Sequence, residues 1–300
     1  ELLSELQDEG QLVCRGQVPF HLKNVDRIDR LEEADEMRRR YRSDWLWSNR
    51  LKLFIDGVIE SGTAFMLEPY PNWPDTTGDP LFEPEHFDEI CVRADAMGLQ
   101  ISVHAIGDAG VRRTLNGYKA AREANGAHDS RHRIEHIEVI HQDDLPRLNA
   151  LDVIASMQPL HSPAGGLLPA PPEGEILHEH QKPLAFSWKA VRESGARLIF
   201  STDWPVVPVD VMPSVMGAVA SLDLGGAWTN QRQGLMETLE SYTRGGAYAE
   251  FHEDRKGRLA PGMFADVVLM SADLERTAPE KLGAVRPIMT ICDGRITFEE

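Results

Sequence analysis

The sequence predicts an α/β fold built on parallel strands. Short apolar runs recur down the chain, and the stretches between them repeat apolar residues at the three-to-four spacing of amphipathic helices. Strand followed by helix, many times over, implies β/α units feeding one sheet. With 300 residues, 42% hydrophobic and 26% charged, the chain has a globular composition and enough length for a sizeable core.

The expected strands are Gln11 to Val18, Leu51 to Ile55, Gln100 to Val103, Arg133 to Ile137, Val153 to Met157 and Arg197 to Ser201. Each is a short run bounded by polar or turn residues. Glu85 to Met97 sets Phe87, Ile90, Cys91, Ala94 and Met97 on one helical face, and Gly98 stops it. Ala109 to Asn125 is helical in character and ends before Gly126. Asp143 to Leu151 spaces Leu145, Leu148 and Leu151 by three, and Pro183 to Ser194 runs to Gly195. Pro159 to Pro172, rich in Pro, Gly and Ala, reads as a loop. The last 45 residues or so change character. KGRLAPGMFADVVLM and RPIMTICDGRITF are short apolar runs among turn residues, with Asp293-Gly294 as a hairpin turn, so a small β-domain is expected there.

The formal net charge is -17, which repels nucleic acid and anionic membrane surfaces. Neither is an expected partner. The three cysteines, Cys14, Cys91 and Cys292, are scattered and form no Cys-x-x-Cys pair. Reduced thiols in a cytoplasmic protein are the simplest expectation. No apolar run of transmembrane length and no leader segment is legible in the sequence, which begins at Glu1.

Functional residues of parallel β/α folds gather at the C-terminal ends of strands. His104 ends one expected strand, His136 another, Asp203 a third, and Lys52 lies within a fourth. Two imidazoles and a carboxylate are donor types that zinc takes in catalytic sites. Singly, each has an ordinary alternative: a hydrogen-bonded core histidine, a helix cap for Asp203, and a lysine with a buried stem. Gln158 and His161 follow the expected strand Val153 to Met157 and are candidates to hold a substrate carbonyl, or else to shape the loop. Trp204 is a candidate pocket wall. Asp108 is a candidate for helix capping or for supporting a metal ligand, and Glu135 for a structural role. His178-x-His180 has metal-pair spacing but falls in a polar loop and is discounted.

The wording around these residues is more specific than their types. LKLFIDGVIESGTAFMLEPY, ISVHAIGDAGV, HRIEHIEVI, SMQPLH, FSTDWPVVP, YTRGGAYAEF and KGRLAPGMFADVVLM occur in this order. Together they closely resemble amidohydrolase family 3, the YtcJ-like group that includes N-substituted formamide deformylase. The resemblance implies a (β/α)8 TIM-type barrel with a small β-sandwich domain. It implies a divalent metal, zinc first, held by His104, His136 and Asp203. Asp203 would also handle the proton of the attacking water. Lys52 resembles the lysine that is carboxylated in binuclear members, where its carbamate bridges two cations. The implied reaction is hydrolysis of a C–N bond in a small-molecule amide.

The sequence departs from that pattern in one place. Amidohydrolases of this type carry a His-x-His pair at the end of the first barrel strand, and none stands near the start of this chain. Leu12 to Val18 resembles the third strand, so strands three to eight are expected, as a partial barrel over residues 1–255 with part of the β-sandwich over 256–300. An open barrel exposes strand edges, which implies pairing with another chain, a homodimer for instance. An inactive fragment, or a hydrolase of another bond class on the same barrel, are the alternatives.

Overall fold

The structure is a computed structural model describing residues 1–165 and 176–300. α1 (Leu2–Asp8), β1 (Gly16–Gln17), β2 (Phe20–His21), α2 (Leu31–Arg40), β3 (Leu46–Trp47) and β4 (Arg50–Phe54) come first. α3 (Pro84–Ala96), β5 (Gln100–Ala105), α4 (Asp108–Asn125), β6 (Arg133–His136), α5 (Leu145–Ala150) and β7 (Ile154–Met157) then alternate. α6 (Trp188–Glu193), β8 (Arg197–Phe200), α7 (Val211–Val219), α8 (Leu235–Tyr242) and α9 (Arg244–Ala249) follow. β9 (Val267–Met270), β10 (Pro287–Cys292) and β11 (Arg295–Glu299) close the chain.

β2, β4, β5, β6, β7 and β8 form one six-stranded sheet in that order, and every neighbouring pair is parallel. Chain order equals sheet order, as successive β/α crossovers require. This is the expected α/β fold. The strands alternate strictly. Leu51, Leu53, Ile101, Val103, Ile134, Ala155 and Leu198 face the main hydrophobic core with α3, α4, α5 and α6. Each of the leucine, isoleucine and valine side chains among them contributes about 1.5–3 kcal/mol by its burial. The opposite positions carry Arg50 and Lys52 on β4, Ser102 and His104 on β5, and Arg133 and Glu135 on β6, so that face is polar along β4 to β6, while Ile154 on β7 and Ile199 on β8 pack there against Ala249. α3 and α4 pack closely because Gly117 has no side chain: a Cβ there would lie 2.6 Å from the Phe87 ring.

Three expectations need correction or trimming. Gln11 to Val18 is not a strand of the main sheet. Only Gly16–Gln17 is extended, and it pairs with Leu46–Trp47 in a separate two-stranded sheet. Arg15 leaves the run to reach Asp266, 3.1 Å away, with its guanidinium 3.9 Å from the centre of the Phe264 ring. The edge strand of the main sheet is Phe20–His21, whose two residues are too few to show periodicity. The helix expected from Pro183 begins only at Trp188. Ala185 bridges Val139, and the Phe186 N–H donates to the Glu138 carbonyl at 2.6 Å, so that stretch is tied to the segment after β6. Of the Pro159 to Pro172 loop, residues 166–172 lie outside the described residues; Pro159–His161 and Pro163–Gly165 are single 3₁₀ turns.

β9, β10 and β11 make an antiparallel sheet in the order β11-β10-β9. Asp293 (φ 54°) and Gly294 (φ 76°) form its hairpin turn, both left-handed, as the Asp-Gly pair implies.

Candidate metal centre

The polar face of the sheet ends in a cluster of imidazoles and carboxylates. His136 is the last residue of β6, His161 closes the 3₁₀ turn after β7, and Asp203 follows β8. One ligand atom from each lies within 4.8 Å of the other two. His136 and Asp203 both sit in left-handed backbone, φ 79° and 59°. Such conformations are costly for residues with a Cβ and gather where a site fixes side-chain direction.

Hydrogen bonds decide which nitrogen each histidine offers. Nδ1 of His136 lies 2.9 Å from Oε1 of Gln158, so Nδ1 carries the proton and Nε2 keeps the lone pair. His161 places Nδ1 3.5 Å from the buried Glu138 carboxylate and Nε2 3.8 Å from Asp203. That Nε2 is buried and has no hydrogen-bond partner. A buried orphan nitrogen is costly unless something binds it. His136 is held neutral, its pKa pushed down to about 3, chiefly by burial and then by His104. Asp203, with 38% of its side chain exposed, has its pKa raised by burial against the pull of His161 and Lys52. Two imidazoles and one carboxylate, with a buried, unpartnered ring nitrogen among them, fit a divalent cation.

His104 stands beside this group and not in it. Its ring packs 4.6 Å from that of His136, centre to centre. Its Nε2 donates to the Gly57 carbonyl at 3.0 Å, which leaves only Nδ1 as a ligand atom. Burial lowers its pKa to about 4. Lys52 sits opposite Ser102 and His21 in the register, its ammonium 4.5 Å from the centre of the Phe54 ring. Its pKa is lowered, first by burial, against an opposing pull from Glu135 and with help from Arg133 and Arg50. Gln158 turns its amide onto His136, not into open space. Trp204 is 67% exposed and forms no packed wall.

Several residues that hold the site were not singled out from sequence. Asp56 is buried, and its carboxylate accepts from the backbone N–H groups of Phe65 (2.9 Å), Ile106 (3.1 Å) and Gly107 (2.9 Å). It also lies 3.6 Å from Nε2 of His104. The glycines around it explain the motif spelling. A Cβ on Gly110 would come 2.7 Å from the Asp56 carboxylate, and one on Gly107 2.1 Å from the Phe65 carbonyl. Asp108 is the first residue of α4, with Gly107 at the cap; its carboxylate accepts the Leu67 N–H at 2.8 Å and so fastens the loop after β4. Glu135 is structural in the expected sense, buried and bonded to Ser102 and Arg133. His178 and His180 stack on each other and reach Pro69 and Glu68. The signal for Glu138, a carboxylate two residues past a strand-end histidine, was in the sequence and carried no weight without the fold.

A parallel β/α sheet with imidazoles and a carboxylate gathered at its strand ends defines an α/β fold of the kind used by metal-dependent hydrolases. The chain belongs to the amidohydrolase family, whose profile matches residues 1–298. YtcJ of Bacillus subtilis, which bears an amidohydrolase name, is 27% identical over 293 residues, covering 95% of this chain and 53% of its own length. N-substituted formamide deformylase of Arthrobacter pascens is 22% identical over 285 residues, 93% of this chain and 49% of its own. The crystal structure of a metal-dependent hydrolase from Pyrococcus horikoshii matches with a TM-score of 0.72 at 27% identity, over 87% of this chain and 51% of that one. The chain therefore spans about half the length of the relatives it matches. No described helix is long and apolar enough to cross a membrane.

Proposed function

We propose that the protein hydrolyses a carbon–nitrogen bond of amide type in a small molecule, with a divalent cation, zinc by its donor set, at the strand ends. The observation that carries this reading is the convergence of His136, His161 and Asp203 within 4.8 Å, with a buried, unpartnered nitrogen on His161. His104 and Lys52 flank the group and are the further ligands of this reading. When bound, a cation there supplies Lewis acidity and makes an attacking water more acidic. Asp203 is the proton carrier: half-buried at the mouth, its raised pKa brings it nearer the working range of a general base. It takes a proton from the attacking water and returns it to the leaving nitrogen. The name of the deformylase relative favours C–N bonds over phosphoesters.

A carbamate on Lys52 belongs to the same reading. The neutral amine adds to CO2 and releases one proton, and the burial that lowers the Lys52 pKa increases the fraction of amine. The polar face then holds two guanidinium groups, Arg50 and Arg133, against two anions, Glu135 and the carbamate. We also read the six parallel strands as a partial barrel over residues 1–255, six strands of an eight-stranded closure, and β9 to β11 as part of a β-sandwich over 256–300. A second reading, a half-scaffold that acts only with a complement, is favoured by the two sheet edges that have no partner strand among the described residues.

Elemental analysis of the purified chain tests the centre. About one equivalent of zinc is expected, removed by chelation and lost in His136→Ala and Asp203→Ala. Wild-type protein that stays metal-free after incubation with zinc would refute the centre. A panel of N-substituted amides, esters and phosphotriesters then tests the bond class.

A further inference from the structure

Gln158 lies at the meeting point of three strand ends. It follows β7, its Oε1 is 2.9 Å from Nδ1 of His136 after β6, and its Nε2 is 2.8 Å from Oγ of Ser201 after β8. The same Nε2 lies 3.3 Å from the Ser156 carbonyl. Gln158, Ser156 and His136 are all buried. A carbonyl oxygen can only accept, so the amide nitrogen must face Ser156 and the amide oxygen must face His136. That oxygen also can only accept, so Nδ1 of His136 must be the protonated nitrogen. Both N–H bonds of the amide are then committed, one to Ser156 and one to Ser201, and its oxygen is committed to His136. No polar atom of Gln158 remains to hold a substrate carbonyl.

We propose that Gln158 is a positioning residue: its clamped amide holds His136 as the Nδ1–H tautomer and turns the Nε2 lone pair toward His161 and Asp203. This replaces the substrate-holding role that its place in the sequence suggests. The consequence for metal binding rests on the metal-centre reading given above; the tautomer does not. The alternative tautomer would put a proton on Nε2, in the space shared with Asp203 and the orphan nitrogen of His161, and would leave Gln158 Oε1 facing a second lone pair. Partners of this kind behind a ligating histidine set both tautomer and ring orientation.

The test reads the tautomer directly. Histidine ring nitrogens are labelled with ¹⁵N in metal-free protein near pH 7.5, and the His136 signals are assigned by their loss in His136→Ala. Wild type is expected to show Nδ1–H. Gln158→Met, which keeps the length and lacks an acceptor, is expected to shift His136 to Nε2–H or to a mixture. Gln158→Glu, which keeps the acceptor, is expected to restore Nδ1–H. Zinc affinity, measured by chelator competition, should fall roughly 10–100-fold in the Met variant and recover in the Glu variant. An Nε2–H wild type overturns the proposal even if the Met variant does not fold, and so does a folded Met variant that stays Nδ1–H. A tautomer that moves as expected in proteins that bind no zinc supports the positioning role and refutes the metal centre instead.

Discussion

Buried histidines dominate this molecule at the scale of single residues, and in His104, His132 and His136 a hydrogen-bond partner fixes which ring nitrogen carries the proton. His132 is the simplest case, away from the strand-end cluster. Its Nδ1 accepts the Ile101 N–H at 3.1 Å, and its Nε2 donates to Asp95 at 2.9 Å. Both nitrogens are satisfied only in the neutral ring, and burial lowers its pKa below the ordinary value of 6.5. The folded state therefore binds fewer protons than the unfolded one below that value. The His132 contribution is fully present above pH 6.5, begins to be lost as pH falls below that value and goes on being lost down to the lower folded-state pKa, at no more than about 1.4 kcal/mol per pH unit. Comparison with His132→Gln isolates the effect from other titrations. The variant should be less stable at pH 7.5, by about 1–3 kcal/mol for the orphaned Ile101 N–H. In urea unfolding the gap should narrow steadily toward pH 5; a gap independent of pH would contradict this account. None of it was legible in the sequence, where His132 is one of four histidines from His128 to His141. The strand-end positions of His104, His136 and Asp203 were legible, because strand ends are where chemistry gathers; that His104 stands outside the group was not. The grouping of His161 with Asp203 was not, since it depends on a 3₁₀ turn folding back after β7.

Among the elements, the loops after β4 and β5 interlock, and glycine makes the joint possible. Asp56 leaves β4 and caps three backbone donors, two of them in the loop after β5. Gly107 lets the Phe65 carbonyl approach where a Cβ would stand 2.1 Å away, and neither side of that contact is a flexible side chain. Gly107→Ala should therefore destabilise by about 3 kcal/mol, the upper end of overpacking costs, and loosen His104. Gly246 in α9 is the contrast: nothing lies within 4 Å of its would-be Cβ and its φ is not positive. Gly246→Ala should stabilise by about 0.5–1 kcal/mol through the unfolded chain. Thermal melts of the two variants check both signs at once. Sequence reading located α3, α4 and α5 and five of the six main strands, because each repeats a hydrophobic period over enough residues. It missed β2, which has two residues, and α1, α2, α7, α8 and α9. The α2 segment LEEADEMRRR is mostly charged and buries only Leu31 and Ala34, so its period is faint.

For the whole molecule, the open question is what meets the two outer strands. β2 and β8 each have a single neighbour among the described residues. Along β8 runs a cavity of about 440 Å³, lined by Arg197, Leu198, Ile199, Arg244 and Tyr248. Backbone groups on an unpaired edge template further pairing, and closure into a barrel is one of the ways proteins remove such edges. If the six strands are part of a barrel, the chain alone should self-associate. Light scattering should give a mass above 33.6 kDa that rises with concentration. It should also rise with salt, because a net charge of -17 repels copies until screened. A mass of 33.6 kDa at every concentration would refute it. A second surface competes for the same result: Val268 and Phe298, which flank Thr290 on one face of the C-terminal sheet, and Ile296, two residues before Phe298 on the same strand, are each about half exposed. Amide exchange separates the two. Edge pairing protects β8 amides, Arg197 to Phe200, in the associated state and releases them on dilution. Protection confined to β9 to β11 would place the contact on the apolar face and leave the β8 edge free for two further strands.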